Sequence, residues 1–205
     1  MRKKLFRQCY SLQILEKGKQ MNLEKYLREQ RKWLDKIDDA VKNCKLALFD
    51  FDDTLIIHNN HSSFTDPDEH KYNIKVFEGT YNWSNGMANR HMKEMLELLK
   101  SQGTQLGLIS ATFSFKHMQT KQEHIKQIYG VELENYCVGP SNHKVPLLED
   151  LTVAKGLKRN QIIFVDDKGD LISKAANEGF IALSPMQVVN YIEWKDNKGE
   201  NIFYE

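Results

Sequence analysis

The chain has 205 residues, enough for one domain with a small appendage, and its 40% hydrophobic content supports a packed core, which excludes global disorder. The three cysteines, Cys9, Cys44 and Cys137, are scattered and form no C-x-x-C pair. This argues against a disulfide framework or a zinc site and favours a reducing cytoplasm.

The net charge of +1 hides an asymmetry along the chain. Residues 1–45 carry 13 Lys and Arg against 6 Asp and Glu, whereas residues 46–205 carry 16 against 22. We interpret the basic segment as a solvated helix face. A surface for nucleic acid or an acidic partner is the alternative that we do not favour.

The basic start lacks the apolar stretch of about 7–15 residues that a signal peptide needs. No window approaches the roughly 18 apolar residues of a membrane span. We therefore expect a cytoplasmic protein without a membrane segment.

The first predicted element is an amphipathic helix that begins near Asn22, a residue suited to an N-cap. Its apolar residues recur at helical spacing, namely Leu23, Tyr26, Leu27, Trp33, Leu34, Ile37 and Val41. Residues 1–20 show no such pattern. Because a clean helix begins directly after Met21, we hypothesise that Met21 is the natural start.

After this helix, short apolar runs alternate with helical segments. The runs typical of strands are 46–51, 105–109, 136–138, 162–165 and 180–183, and the helical segments are 88–101, 114–129, 146–157, 169–178 and 185–195. Such alternation predicts a three-layer α/β fold, Rossmann-like, with a mostly parallel sheet. The carboxyl ends of all its strands then meet at one edge, where open α/β sheets bind ligands.

Chemically active side chains follow these strands. Asp50, Asp52 and Asp53 come after the first strand, Ser110 after the second, and Asp166 with Asp167 after the fourth. Lys144 stands before Pro146, near a predicted helix start. Its rivals Lys155 and Lys158 lie near a predicted helix C-terminus, where lysine complements the helix dipole without a catalytic task. Carboxylates, a hydroxyl and a lysine at one edge are suited to phosphoryl transfer, and clustered carboxylates favour Mg²⁺.

The order of these residues resembles the haloacid dehalogenase (HAD) superfamily, in its aspartate-based phosphatase branch. Asp50-Phe51-Asp52-Asp53-Thr54-Leu55 matches the first motif, D-x-D-x-[TV]-[LV]. Ser110 matches the second motif, Lys144 the third, and Asp166 with Asp167 or Asp170 the fourth. The resemblance spans residues 46–195.

The resemblance implies a Mg²⁺-dependent hydrolase that cleaves a phosphate monoester through an aspartyl-phosphate. Asp50 would be the nucleophile and a metal ligand, and Asp52 the general acid and base, with its carbonyl on the metal. Asp166 would be the second carboxylate ligand, while Ser110 and Lys144 would bind the phosphoryl group. Val165 replaces the glycine of the usual fourth motif, which leaves open whether Asp167 or Asp170 supports the metal.

The other expected substrate-binding residues are Thr54, Ala111, His58, His61 and Trp83. The last three lie in the insert 56–87, which we predict to be a small flap over an open cleft. The clustered histidines there could suggest zinc, but without a nearby cysteine we favour a solvated loop. The predicted organisation is a basic arm and helix over 1–45, a catalytic domain over 46–195 and a tail over 196–205.

There are three alternatives, and the order of the residues disfavours the first. A receiver domain carries similar residues, but its phospho-accepting aspartate precedes the hydroxyl, an order that this chain does not have. A catalytically inactive binding protein on the same fold would not turn over substrate. A phosphatase of nucleic-acid ends or of phosphoproteins would share the chemistry and differ in substrate.

Overall fold

The computed structural model describes residues 23–58, 86–112 and 114–197. Six α-helices are found in these ranges: α1 (Leu23–Asn43), α2 (Arg90–Ser101), α3 (Phe115–Tyr129), α4 (Lys144–Lys155), α5 (Gly169–Asn177) and α6 (Pro185–Asp196). The strands are β1 (Leu46–Phe49), β2 (Ile56–His58), β3 (Gly86–Ala88), β4 (Gln105–Leu108), β5 (Glu134–Asn135), β6 (Ile162–Val165) and β7 (Ile181–Leu183). Among these helices, none is long and apolar enough to cross a membrane.

Five strands form one sheet in the order β5-β4-β1-β6-β7. All four neighbouring pairs are parallel, and β1 lies at the centre, with Phe49 opposite Leu108 on one side and Val165 on the other. The chain builds the β4 side first and then returns to the β6 side. The sheet order therefore reverses at β1, which is where open α/β sheets bind ligands.

Alternate residues of each strand enter two separate cores. Ala47 and Phe49 of β1 pack with residues of α1, α2, α3 and α6, whereas Leu46 and Leu48 pack with residues of α4 and α5. All four β1 side chains are fully buried. This arrangement, with helices on both faces of a parallel sheet, confirms the predicted three-layer α/β fold.

Most predicted elements agree with the structure to within two residues, but the third predicted strand was misplaced. The apolar run 136–138 was predicted to be a strand, whereas β5 is Glu134–Asn135. Tyr136 still donates its N–H to Leu108 O at 2.8 Å, and Val138 pairs with Ala111 only as an isolated bridge. Pairing with β4 thus continues past β5 without forming a regular ladder.

The two ends of the predicted flap pair with each other. β2 and β3 form an antiparallel ladder in which Ile56 lies opposite Ala88 and His58 lies opposite Gly86. Residues 59–85 are outside the described ranges, as are the predicted N-cap at Asn22, the arm before it and most of the tail.

Candidate active site

Asp50 extends the central strand by one residue and is buried there. Its N–H donates to Val165 O at 2.9 Å, so the loop after β1 begins as a continuation of the parallel ladder. Asp53 has a positive φ of 54°, and its N–H donates to Ile56 O at 2.8 Å. Aspartate is one of the few residues that adopt this conformation readily. The resulting tight turn leaves Asp50 4% exposed, while the Asp52 side chain is 43% exposed.

The neighbouring strands bring Ser110 and Asp166 to the same edge. Ile109 donates its N–H to Phe49 O at 2.9 Å, which aligns the end of β4 with the end of β1. Asp166 likewise follows β6 and donates its N–H to Leu183 O at 3.2 Å. Both Ser110 and Asp166 are fully buried.

Lys144 links the acids of β1 and β6. Lys144 is the first residue of α4. Its ammonium lies 2.8 Å from Asp50 Oδ1 and 2.7 Å from Asp166 Oδ2, and its side chain is 1% exposed. Burial alone would lower the pKa of Lys144, but the charges of Asp50 and Asp166 outweigh it, and the pKa is raised. The ammonium therefore stays charged and offsets part of the buried negative charge.

A second buried lysine, Lys121 of α3, contacts the turn after β1 and the residues that follow β4. Its ammonium is 2.7 Å from Asp52 Oδ2, 2.8 Å from Ser110 Oγ and 3.3 Å from Ala111 O. It also lies 4.9 Å from the centroid of the Phe51 ring. The side chain is 1% exposed, so this ammonium is held inside the protein by the residues of the site.

Sequence reasoning missed Lys121 and weighed only Lys155 and Lys158 as rivals of Lys144. Its spacing carried a signal, because Ser114, His117, Lys121 and His124 recur at three- and four-residue intervals along one side of α3. Lys155 instead contacts Gln105 at the amino end of β4, and Lys158 is exposed.

The acids of the site carry more charge than Lys144 offsets. Burial raises the pKa of Asp50 to about 6; Lys144 opposes this rise, while Asp166 and Asp52 add to it. Burial and then Asp166 raise the pKa of Asp167. Lys121 also opposes the rise at Asp50. Both pKa values are nevertheless raised, as expected where buried carboxylates are crowded together.

Three carboxylates are close enough to bind one ion. Oxygen atoms of Asp50, Asp166 and Asp167 lie within 4.8 Å of one another. Carboxylate oxygens are hard ligands that suit Mg²⁺, which also keeps several waters. The crowded charge and the oxygen donors therefore fit a divalent cation.

The structure places the remaining predicted residues as follows. Asp170 lies in the first turn of α5, is exposed and is not in the carboxylate cluster found among the described residues. Thr54 is fully buried in the turn, and Ala111 offers its carbonyl to Lys121. His58 ends β2, but its side chain is outside the described part, and His61 and Trp83 lie wholly outside it.

No protein-family model matches the sequence, and no curated protein matches it. The chain is similar to several solved structures, among them the following three. The N-terminal part of a Bacteroides fragilis protein, which contains a phosphatase domain complexed with Mg, is 13% identical with a TM-score of 0.48; the match covers 76% of this chain and 40% of that one.

The cobalt-bound deoxy-D-mannose-octulosonate 8-phosphate phosphatase of Haemophilus influenzae is 15% identical with a TM-score of 0.43, covering 74% of this chain and 77% of that one. A phospho-aspartyl intermediate analogue of phosphoserine phosphatase is 17% identical with a TM-score of 0.44, covering 69% and 85%. Similarity at this level assigns no activity to this chain, so its function has to be inferred from the site itself.

Proposed function

We propose that this protein is a divalent-metal-dependent phosphatase that hydrolyses a phosphate monoester through an aspartyl-phosphate on Asp50. The observation that carries the proposal is the cluster of acidic side chains and a lysine at the carboxyl end of β1. A buried carboxylate lies beside a lysine and two further acids, and a half-exposed carboxylate lies two residues away on the same turn. Together they supply a nucleophile, charge stabilisation, a metal site and a proton donor.

Asp50, Asp166 and Asp167 would hold the ion, with the backbone carbonyl of Asp52 as a further ligand by resemblance to the HAD superfamily. When bound, Mg²⁺ would supply positive charge that favours the ionised form of Asp50 and stabilises the phosphoryl oxygens. Of the two residues left open by the sequence, we assign Asp167 to this role because it lies in the carboxylate cluster and Asp170 does not.

In the first step, a carboxylate oxygen of Asp50 forms a bond to phosphorus as the bond between phosphorus and the ester oxygen breaks. Asp52 gives a proton to the departing oxygen, so the alcohol leaves neutral. In the second step, water attacks phosphorus and gives a proton to Asp52. Inorganic phosphate leaves, and Asp50 is restored as a carboxylate.

Lys144 and Ser110 would neutralise and orient the phosphoryl group during both steps. Lys144 is fixed in place by the two buried acids that it contacts. Thr54 and the residues of the insert would complete the substrate site.

We further propose that the protein acts in the cytoplasm, because the two described cysteines, Cys44 and Cys137, are free thiols.

The test is an aryl phosphate hydrolysis assay on protein treated with EDTA, before and after Mg²⁺ is restored. We expect EDTA to abolish turnover, Mg²⁺ to restore it, and Asp50→Asn to lower it by about 10⁴-fold or more. Asp53→Asn is the matched control, since asparagine also accepts the positive φ at this turn position. Full turnover in EDTA would refute the proposal, and so would an equal loss in both variants.

A further inference from the structure

Lys121 is a buried cation whose presence packing does not explain. Its side chain is 1% exposed, and burying an ammonium costs free energy that an apolar side chain of similar length would avoid. Its acidic partner, Asp52, is 43% exposed. Asp52 would therefore be solvated without a lysine, so its charge does not call for a buried counter-ion.

The contacts of Lys121 fix its ammonium firmly. The Ser110 hydroxyl and the Ala111 carbonyl belong to the end of β4, and the Phe51 ring is fully buried beneath it. Asp52, by contrast, lies in a turn and has a partly solvated carboxylate. The ion pair at 2.7 Å ties this carboxylate to the rigid end of the sheet.

The two buried lysines serve different acids. Lys144 contacts Asp50 and Asp166, which are the nucleophile candidate and a metal-ligand candidate. Lys121 contacts Asp52 and Ser110, which are the candidate proton donor and a phosphoryl-binding group. One lysine thus lies on the nucleophile side of the site and the other on the leaving-group side.

We propose that Lys121 is the positioning residue of the leaving-group step, a role that rests on the phosphatase function proposed above. Its ammonium holds the Asp52 carboxyl group at a fixed place relative to Ser110. Lys121 contacts the Oδ2 atom of Asp52, so the proton is carried on Oδ1 and can reach the ester oxygen while Ser110 contacts the phosphoryl group. Lys121 transfers no proton itself and acts through the orientation of Asp52.

This role predicts a dependence on the leaving group. A poor leaving group needs the proton from Asp52, whereas a good one departs without it. Displacing a catalytic group by about 1 Å can cost about 10²-fold in rate. Loss of Lys121 should therefore slow the hydrolysis of poor leaving groups far more than that of good ones.

The experiment compares wild type, Lys121→Met and Lys155→Met on a graded series of aryl phosphates, from p-nitrophenyl phosphate to phenyl phosphate, with Mg²⁺. For Lys121→Met we expect kcat to fall by about 10- to 100-fold on the poorest leaving group and by less than about threefold on the best. Lys155→Met is the matched control. Lys155 also lies over an aromatic ring, that of Tyr136, and contacts an acid, but at the opposite edge of the sheet.

An equal loss across the series, or none, would overturn the role of Lys121 and leave the phosphatase function standing. If wild type hydrolyses no member, the proposed function fails instead. The double variant with Asp52→Asn gives a second check: a residue that acts through Asp52 should add little further loss, and an additive loss contradicts the proposal.

Melting temperatures establish whether each variant folds. Should Lys121→Met fail to fold, Lys121→Gln replaces it, since glutamine keeps hydrogen-bond donors without the charge. The same leaving-group pattern is then expected, and a uniform loss again counts against the proposal.

Discussion

Burial of charge is what sets the properties of individual residues around this site. His117, on the same face of α3 as Lys121, is 3% exposed. Burial first, and the nearby charge of Lys121 second, lower the pKa of His117 to about 4, against a weaker opposing effect of Asp52. His117 is therefore neutral in the folded protein at neutral pH.

This lowered pKa predicts a loss of stability in acid. An unfolded histidine has a pKa of about 6.5, so between about pH 6.5 and pH 4 the unfolded chain binds a proton that the folded chain does not. The contribution of His117 to the free energy of unfolding is thus fully present above about pH 6.5 and is lost as the pH falls toward about 4. His117→Gln should remove that dependence. Urea unfolding of the wild type and of His117→Gln at about pH 8 and about pH 5 measures this dependence. If the difference in stability between the two proteins is the same at both pH values, the prediction is contradicted.

Most of the site residues that could be predicted from the sequence are fixed by a strand end. Asp50, Ser110 and Asp166 each follow an apolar run, and parallel strands bring such positions together regardless of side-chain detail. Lys121 could not be identified this way. The position of Lys121 depends on which face of α3 packs against the sheet. Polar residues lie on both sides of that helix, so the sequence pattern does not show which face is buried.

At the scale of elements, α3 also holds both ends of the insert. The Tyr129 hydroxyl donates to Leu55 O, and it accepts a hydrogen bond from Asn89 N–H at 2.9 Å. Tyr129 and Asn89 are buried, and burial raises the pKa of Tyr129 to about 12, so the hydroxyl keeps its proton. One phenol thus joins the end of the turn after β1 to the start of α2.

Tyr129→Phe should therefore destabilise the protein by about 0.5–1.5 kcal/mol. The buried Asn89 N–H and Leu55 C=O each lose the hydroxyl as a partner but keep the direct hydrogen bond of 3.3 Å between them. Urea unfolding of the purified variant measures this change. We expect turnover of a small aryl phosphate to change little if the turn itself stays in place. A loss of stability below about 0.5 kcal/mol would show that water or another group replaces the hydroxyl.

The boundaries of elements were predictable where a specific residue ends them and uncertain elsewhere. The Ser184 hydroxyl caps α6 by accepting a hydrogen bond from Gln187 N–H, and Gly130 and Gly156 follow α3 and α4 with positive φ, the positions that serine and glycine favour. The predicted position of β5 was wrong because an apolar run shows which residues are buried, not which ones pair in a regular ladder.

At the scale of the whole molecule, α1 is part of the core. Leu34, Ile37 and Val41 are buried against the same cluster that contains Tyr191 and Ile192 of α6. The sequence predicted an amphipathic helix there but not the surface that its apolar stripe covers. Residues far apart in the chain decide that surface, so the helical period alone cannot reveal it.

A buried polar contact strengthens this packing. Asp38 of α1 is 3% exposed and accepts a hydrogen bond from the Tyr191 hydroxyl at 2.9 Å, and Lys42 forms an ion pair with its other oxygen at 2.7 Å. Burial, followed by Asp38, raises the pKa of Tyr191. Removing α1 would therefore expose apolar surface and also leave a buried hydroxyl without this acceptor.

These contacts predict that two truncations differ sharply. Burial of three large apolar side chains contributes roughly 5–9 kcal/mol at about 1.5–3 kcal/mol each, which is comparable with the whole stability of a domain, about 5–15 kcal/mol. Removing residues 1–43 should therefore prevent stable folding. Removing residues 1–20, which have no periodic apolar face, should change the melting temperature little. Circular dichroism melts of both proteins test this, and either a folded protein lacking 1–43 or a large loss on removing 1–20 would show that the core is divided differently.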